Sequence, residues 1–211
     1  IDVREPTGWR ELRAILLRDQ ASDVQRIALS RLALDLAGCP EGCHRFFEML
    51  FAAAAKTPTI RQLCRSIGVV PGTLMSRFFR SHLPPPKRFL AYARLTCAAR
   101  LFENPGVSIT SVANQLDYSS PQSFSRHVRS VLCMSAIEFR LRYDGEGMLE
   151  CFRERLILPH RERWRSFDPL GRKQLLISGT YGSAAAEAAG TESRRSTLTS
   201  SPGGAASGFG E

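Results

Sequence analysis

Nothing in the chain is apolar for long enough to span a bilayer, since runs such as LFAAAA at 50–55 fall far short of the ~20 residues a crossing helix needs. Catalytic vocabulary is equally sparse. The four histidines, His44, His82, His127 and His160, are scattered with no carboxylate at a useful spacing, and neither a phosphate loop nor a nucleophile elbow occurs. An enzyme is therefore not expected, and no cofactor is called for. No secretory leader is recognisable, so Cys39, Cys43, Cys64, Cys97, Cys133 and Cys151 are expected to be reduced thiols in the cytoplasm. Cys64 and Cys97 fall on apolar helix faces, where a free thiol acts as a small hydrophobe. Only CPEGCH at 39–44 gathers several ligand types, and its spacing fits neither haem attachment nor a usual zinc knuckle. It reads as a loop that breaks a helix.

Acidic residues are also scarce, but in one region only. Lys+Arg against Asp+Glu count 7 to 8 over 1–55, 13 to 3 over 56–143, 5 to 6 over 144–171 and 4 to 3 over 172–211. The middle block therefore supplies the whole net charge of +9. An excess of that size in one block suits a polyanionic partner.

What is present is helical periodicity. Amphipathic helices are expected over 8–20, over 22–37 with Ser22 and Gln25 as a capping box, and over 43–56 with Phe46, Phe47, Leu50 and Phe51 inward. Three such helices, about fifty residues in all, are little for a sensor with its own ligand cavity. Because the sequence starts at isoleucine, 1–56 reads as a helical extension that ends a longer regulatory region, or as a layer packed on the basic block or on a second copy. A further helix is expected over 146–158 with Met148, Phe152 and Leu156 inward. From 172 onward Gly, Ala, Ser and Thr dominate, and 180–211 reads as a disordered tail.

The stretch 108–130, SITSVANQLDYSSPQSFSRHVRS, carries most of the functional information. Ile109, Val112, Ala113 and Leu116 recur at helical spacing behind the cap Ser108. Asp117 tolerates the left-handed region at a sharp bend, Ser119 or Ser120 can cap a second helix, and Pro121 suits its first turn. That helix turns Phe124, Val128 and Val131 inward and carries Gln122, Ser125, Arg126 and Arg129 on its other face. These side chains suit base edges and phosphates, so the stretch reads as a helix-turn-helix.

The same pattern occurs twice. TIRQLCRSIG at 59–68 aligns with SITSVANQLD at 108–117 at an offset of 49, pairing Thr59 with Ser108, Leu63 with Val112 and Gly68 with Asp117. Beyond the turn the offset becomes 50, pairing Leu74 with Phe124, Phe78 with Val128 and Phe89 with Phe139. Between the copies, Pro86 to Glu103 reads as one long helix closed by Asn104, Pro105 and Gly106. The fold expected is all-α: two helix-turn-helix subdomains in 57–143 joined by a linker helix, with helical extensions at 1–56 and 144–171.

Residues 57–143 resemble the DNA-binding region of the AraC/XylS family of bacterial transcriptional regulators. The resemblance rests on VVPGTLMSRFFR, PPPKRFLAYARL, ITSVANQLDYSSPQSFSRHVRS and SAIEFR, including the closing aromatic Phe139. Departures fall at turns: Asp117, Leu83 and Cys133 stand where glycine is usual, and Ala136 where proline is expected. The resemblance implies a double-stranded DNA partner, RNA polymerase as a protein partner if the chain activates, and no membrane. It maps base-facing positions onto Gly72, Met75 and Ser76 beside Thr73 in the first unit. In the second they fall on Gln122, Ser125 and Arg126 beside Ser123 and Arg129. The second unit is thus expected to carry more base reading, with Arg77 and Arg80 on phosphates. An offset of 49 kept through SR at 76–77 and 125–126 would instead make Arg77 the counterpart of Arg126. Of Phe78, Phe79, Phe124, Phe139 and Tyr118, which could stack on single-stranded nucleic acid, most fall at repeat-matched positions and read as packing residues, while Arg94 and Arg100 are open to two readings, nucleic-acid contact or a brace between the units. Self-association, effector and operator are left open.

Overall fold

The computed structural model describes residues 23–57 and 59–171. The expected helix over 8–20, the cap Ser22 and the tail from 172 lie outside the described residues. Helix α1 covers 23–32 and is followed by α2 (Glu41–Ala53), α3 (Ile60–Ile67), α4 (Pro71–Arg80), α5 (Pro86–Phe102), α6 (Ile109–Gln115), α7 (Pro121–Leu132), α8 (Ala136–Arg142), α9 (Gly145–Phe152) and α10 (Arg161–Ser166). Among the described residues the chain is all-helical, without strands.

Most helix starts follow the local chemistry of their caps. The side-chain oxygens of Thr59, Ser108, Ser120, Ser135 and Asp144 each accept from a backbone N–H of their helix's first turn, satisfying a donor that has no partner inside the helix. Ser135 and Glu138 form a reciprocal capping box. At α4 and α5 proline occupies the first turn instead, where its missing N–H removes nothing.

Three expectations are corrected. Helix α1 stops at 32 and gives way to turns, although Leu36 remains buried beneath it. Helix α2 begins at Glu41, so Cys43 and His44 lie within it and only the start of CPEGCH is loop. The helix expected over 146–158 is α-helical only as far as Phe152. Arg153–Ile157 then forms a wider π turn and Leu158–His160 a 3-10 turn. Pro159 accounts for this, since it lacks an N–H and its ring crowds the carbonyl four residues back.

Helix α5 is the axis of the fold. The two helix-turn-helix pairs, α3–α4 and α6–α7, pack on it, and so do α2, α8 and α9. Its buried positions include Phe89, Tyr92, Leu95, Ala98 and Leu101, which face all sides of the helix and not one; a helix apolar all round belongs at a centre. Around its first half lies an aromatic cluster that joins distant parts of the chain. The Trp164 ring lies 5.1 Å from that of Phe47 and 5.4 Å from that of Phe89, and Phe78 lies 4.9 Å from Phe167. Tilted and edge-on aromatic pairs of this kind add ~0.5–1.5 kcal/mol each beyond area burial. The segments 23–57 and 144–171, read from sequence as extensions, thus share one continuous core with the basic block. Helix α1 and the turns after it are tied to α9 and the π turn that follows, through Arg31 with Glu150 and through buried Asp35 with Arg153.

Candidate nucleic-acid interface

Each helix-turn-helix is closed by the same backbone bond. The amide of Val69 donates to the carbonyl of Cys64 at 3.0 Å, and that of Tyr118 to the carbonyl of Ala113 at 2.9 Å. The residue before each amide has positive φ: Gly68 at 69° and Asp117 at 54°. Glycine reaches that region freely and aspartate is one of the few other types that tolerates it. A second positive-φ corner follows α4 and another follows α7. In the second unit it falls on Cys133, at 60°, where the resemblance put a glycine. In the first it falls on exposed His82, at 51°, and not on Leu83, which is buried in the core.

Helix α7 presents Gln122, Arg126 and Arg129 to solvent. Its serines are engaged locally. Ser123 lies at the centre of a small network: its amide donates to Ser120, its hydroxyl shares a bond with that of Ser119, and Oγ accepts from Arg126 at 3.2 Å. Ser125 donates to the carbonyl of Pro121 at 3.0 Å, which leaves its hydroxyl able to accept but not to donate elsewhere. Ser123 therefore positions Arg126, while Gln122, Arg126 and Arg129 are the side chains aimed outward.

On α4, Gly72, Thr73, Met75, Ser76 and Arg80 are exposed. Arg77 is turned the other way: it is half-buried and donates to the carbonyl of Pro169 at 2.7 Å. It lies beneath Gly171, where an added Cβ would come within 2.6 Å of its guanidinium. Its counterpart at an offset of 50, His127, is likewise half-buried, so the inward positions follow that register and Ser76, not Arg77, matches Arg126. Phe79 departs from the sequence reading. It was grouped with packing residues and is instead almost fully exposed, one step round the helix from buried Phe78.

Arg61, Arg65, Arg80, Lys87, Arg88, Arg126 and Arg129 are exposed, and among the described residues none forms an ion pair. Between the units lies an open cleft of about 460 Å³ lined by Lys87, Arg94, Tyr118, Ser123 and His127 among others. At its floor the Tyr118 hydroxyl hydrogen-bonds to Nδ1 of His127. Burial, then the charge of Arg94, lowers the His127 pKa to about 4, and burial raises that of Tyr118. Both groups are neutral at pH 7, so the bond joins an un-ionised phenol to an uncharged imidazole. Arg94 itself is buried and donates to the carbonyls of Ala54 and Leu116, so it ties the end of α2 to the turn after α6 and not one helix-turn-helix unit to the other. Arg100 instead pairs with Glu103 on its own helix end.

Among the described residues no cluster of His, Cys, Asp or Glu is arranged to hold a metal, and no helix is long and apolar enough to cross a membrane. All six cysteines are free thiols. Residues 63–142 match a protein-family model described as a helix-turn-helix domain, which is an AraC-like, DNA-binding regulatory family and not one of enzymes. The match runs from within α3 to the last residue of α8. No curated protein and no solved structure matches the chain.

Proposed function

We propose that the chain is a sequence-specific, double-stranded DNA-binding transcriptional regulator of the AraC/XylS type that inserts α4 and α7 into adjacent major grooves. The observation that carries this is the duplication itself: two copies of one capped, turn-closed helix pair on a single buried helix, each exposing a recognition face among unpaired cations. Helix α5, with its 17 residues, is about 26 Å long at ~1.5 Å per residue. That length is of the order of the ~34 Å between successive major grooves on one face of B-DNA. In this reading Arg126 and Gln122 read base edges, Ser123 holds Arg126, and Arg80 and Arg129 lie against phosphates. Such a regulator works in the bacterial cytoplasm, with RNA polymerase or a second copy as its candidate protein partners.

Selecting bound duplexes from a random library tests the reading. A recovered consensus with two half-sites about one helical turn apart is expected, and Arg126→Ala should cost about 1–3 kcal/mol on it while leaving random DNA unaffected. Equal losses on both would remove Arg126 from base reading.

The outward apolar residues of α4, Met75 and Phe79, favour a second reading, a protein-interaction module that has lost DNA binding. A DNA binder shows log affinity falling against log salt with a slope of roughly −0.9 per phosphate neutralised. No binding even at low salt would favour the interaction module, whereas a steep slope without sequence enrichment would indicate a nonspecific architectural binder.

A further inference from the structure

The two recognition helices are built on one plan but differ in what they hold out. At an offset of 50, Gly72, Met75, Ser76 and Phe79 of α4 stand where α7 has Gln122, Ser125, Arg126 and Arg129. The α7 set is polar and cationic. The α4 set is apolar at its two largest members, with Met75 51% and Phe79 81% exposed. Neither packs into the core, and both lie on the surface that the duplicated plan makes the reading face.

The major groove offers one apolar group to such a face, the 5-methyl of thymine, and contact with it is how an apolar side chain discriminates bases there. Gly72 points the same way. Its φ is not positive, and a Cβ built on it would meet nothing within 4 Å. Neither backbone geometry nor packing within the chain calls for glycine in the first turn of α4. A surface that must be approached closely from outside does. The exposed cations of this helix pair, Arg61 and Arg65 on α3 and Arg80 on α4, none in an ion pair among the described residues, suit a polyanion that carries methyl groups better than an apolar protein surface.

Resting on the DNA-binding reading above, we infer that α4 recognises its half-site through thymine 5-methyl groups, with Met75 and Phe79 as the contacting side chains and Gly72 admitting the helix end to the groove. The half-site under α4 is therefore thymine-rich and is read by shape and apolar contact. The half-site under α7 is read by hydrogen bonds.

The experiment uses the full chain and a duplex recovered from a random library. The half whose preference relaxes in Arg126→Ala belongs to α7, which identifies the other half as that of α4. Each thymine is then replaced singly by deoxyuridine, which removes only the methyl. In the α4 half, binding should weaken about fourfold at each contacted thymine, the effect of leaving one methyl-sized group unburied. Phe79→Ala and Met75→Ala should lower affinity for the thymine duplex and erase the thymine–uracil difference, whereas Phe79→Leu should retain part of it. Because both side chains are exposed, these variants keep the fold, and unchanged helicity and unfolding midpoint check that. Insensitivity of the α4 half to every uracil replacement, with Arg126→Ala still relaxing the other half, overturns the inference and leaves the DNA reading intact. Unchanged DNA affinity in Phe79→Ala also overturns it and assigns the patch to a protein partner. Failure to recover any duplex removes the DNA-binding reading itself.

Discussion

The guanidinium of Arg94 lies over the ring of Tyr118, 4.6 Å from its centroid, and at the same time donates to the carbonyls of Ala54 and Leu116. One buried cation thereby joins the end of α2, the linker helix and the turn of the second helix-turn-helix. The bend of that turn needs its carbonyl and ring held from below, and the guanidinium fork reaches both where an ammonium would reach one.

Arg94→Met should therefore leave two buried carbonyls without donors and destabilise the fold by about 3 kcal/mol. Urea unfolding measures this. If DNA binding is assayed at low temperature, where the variant stays folded, tolerance of altered half-site spacing should increase. Wild-type stability in Arg94→Met would show that the brace carries no energy.

The His127 pKa of about 4 gives a pH dependence of definite sign. Between about pH 4 and the ordinary histidine value of ~6.5 the unfolded chain holds a proton that the folded chain does not. Stability should therefore be level above pH ~6.5 and fall as pH drops towards 4, by no more than about 3 kcal/mol from this group. His127→Gln should flatten that part of the profile. Denaturant midpoints at pH 7.5, 6 and 5 for both proteins compare the slopes, and identical slopes would count against the buried neutral imidazole.

Arg77 and Arg80 are three residues apart on α4 and are expected to behave differently. Arg77→Ala removes the bond to Pro169 and should cost about 1–3 kcal/mol of stability with little change in the salt dependence of DNA binding. Arg80→Ala should leave stability within about 0.5 kcal/mol and reduce the salt slope by about one phosphate. The reverse pattern would mean that the contact with Pro169 gives way when DNA is bound.

Trp164→Ala should cost about 3–5 kcal/mol, because the indole is fully buried against Phe47, Phe78 and Phe89. The loss should appear as one cooperative transition including α3 and α4, read by fluorescence and circular dichroism together. Independent melting of the segment after 144 would show that it is an appendage and not part of the core.

Much of this architecture is written in short-range chemistry. The caps Thr59, Ser108 and Ser120, the prolines that open α4 and α7, and the bend-tolerant Gly68 and Asp117 each act within a few residues of chain. Their repetition at offsets of 49 and 50 is enough to define two helix-turn-helix pairs and the helix between them. The linker was expected from Pro86 to Glu103, and α5 runs Pro86–Phe102 with Glu103 as its cap.

Other features depend on partners far along the chain. Composition does not separate Phe78 from Phe79; the repeat does so only by pairing Phe78 with inward Val128. Phe78 turns inward because Phe89, Trp164 and Phe167 surround it, and Phe79, about 100° further round the helix, is then left outside. Arg77 turns away from the exposed face of α4 because Pro169 supplies an acceptor there, and Leu83 stays buried because His82 takes the left-handed corner. Local spacing therefore specifies where α4 and α7 begin and end and where the chain bends before them. Which of their side chains face outward, and how rigidly the pair is held, is decided by burial of aromatic surface and of the Arg94 charge, which exists only once segments distant in the chain have packed together, Arg94 on a carbonyl 40 residues away and Arg77 on one 92 residues away.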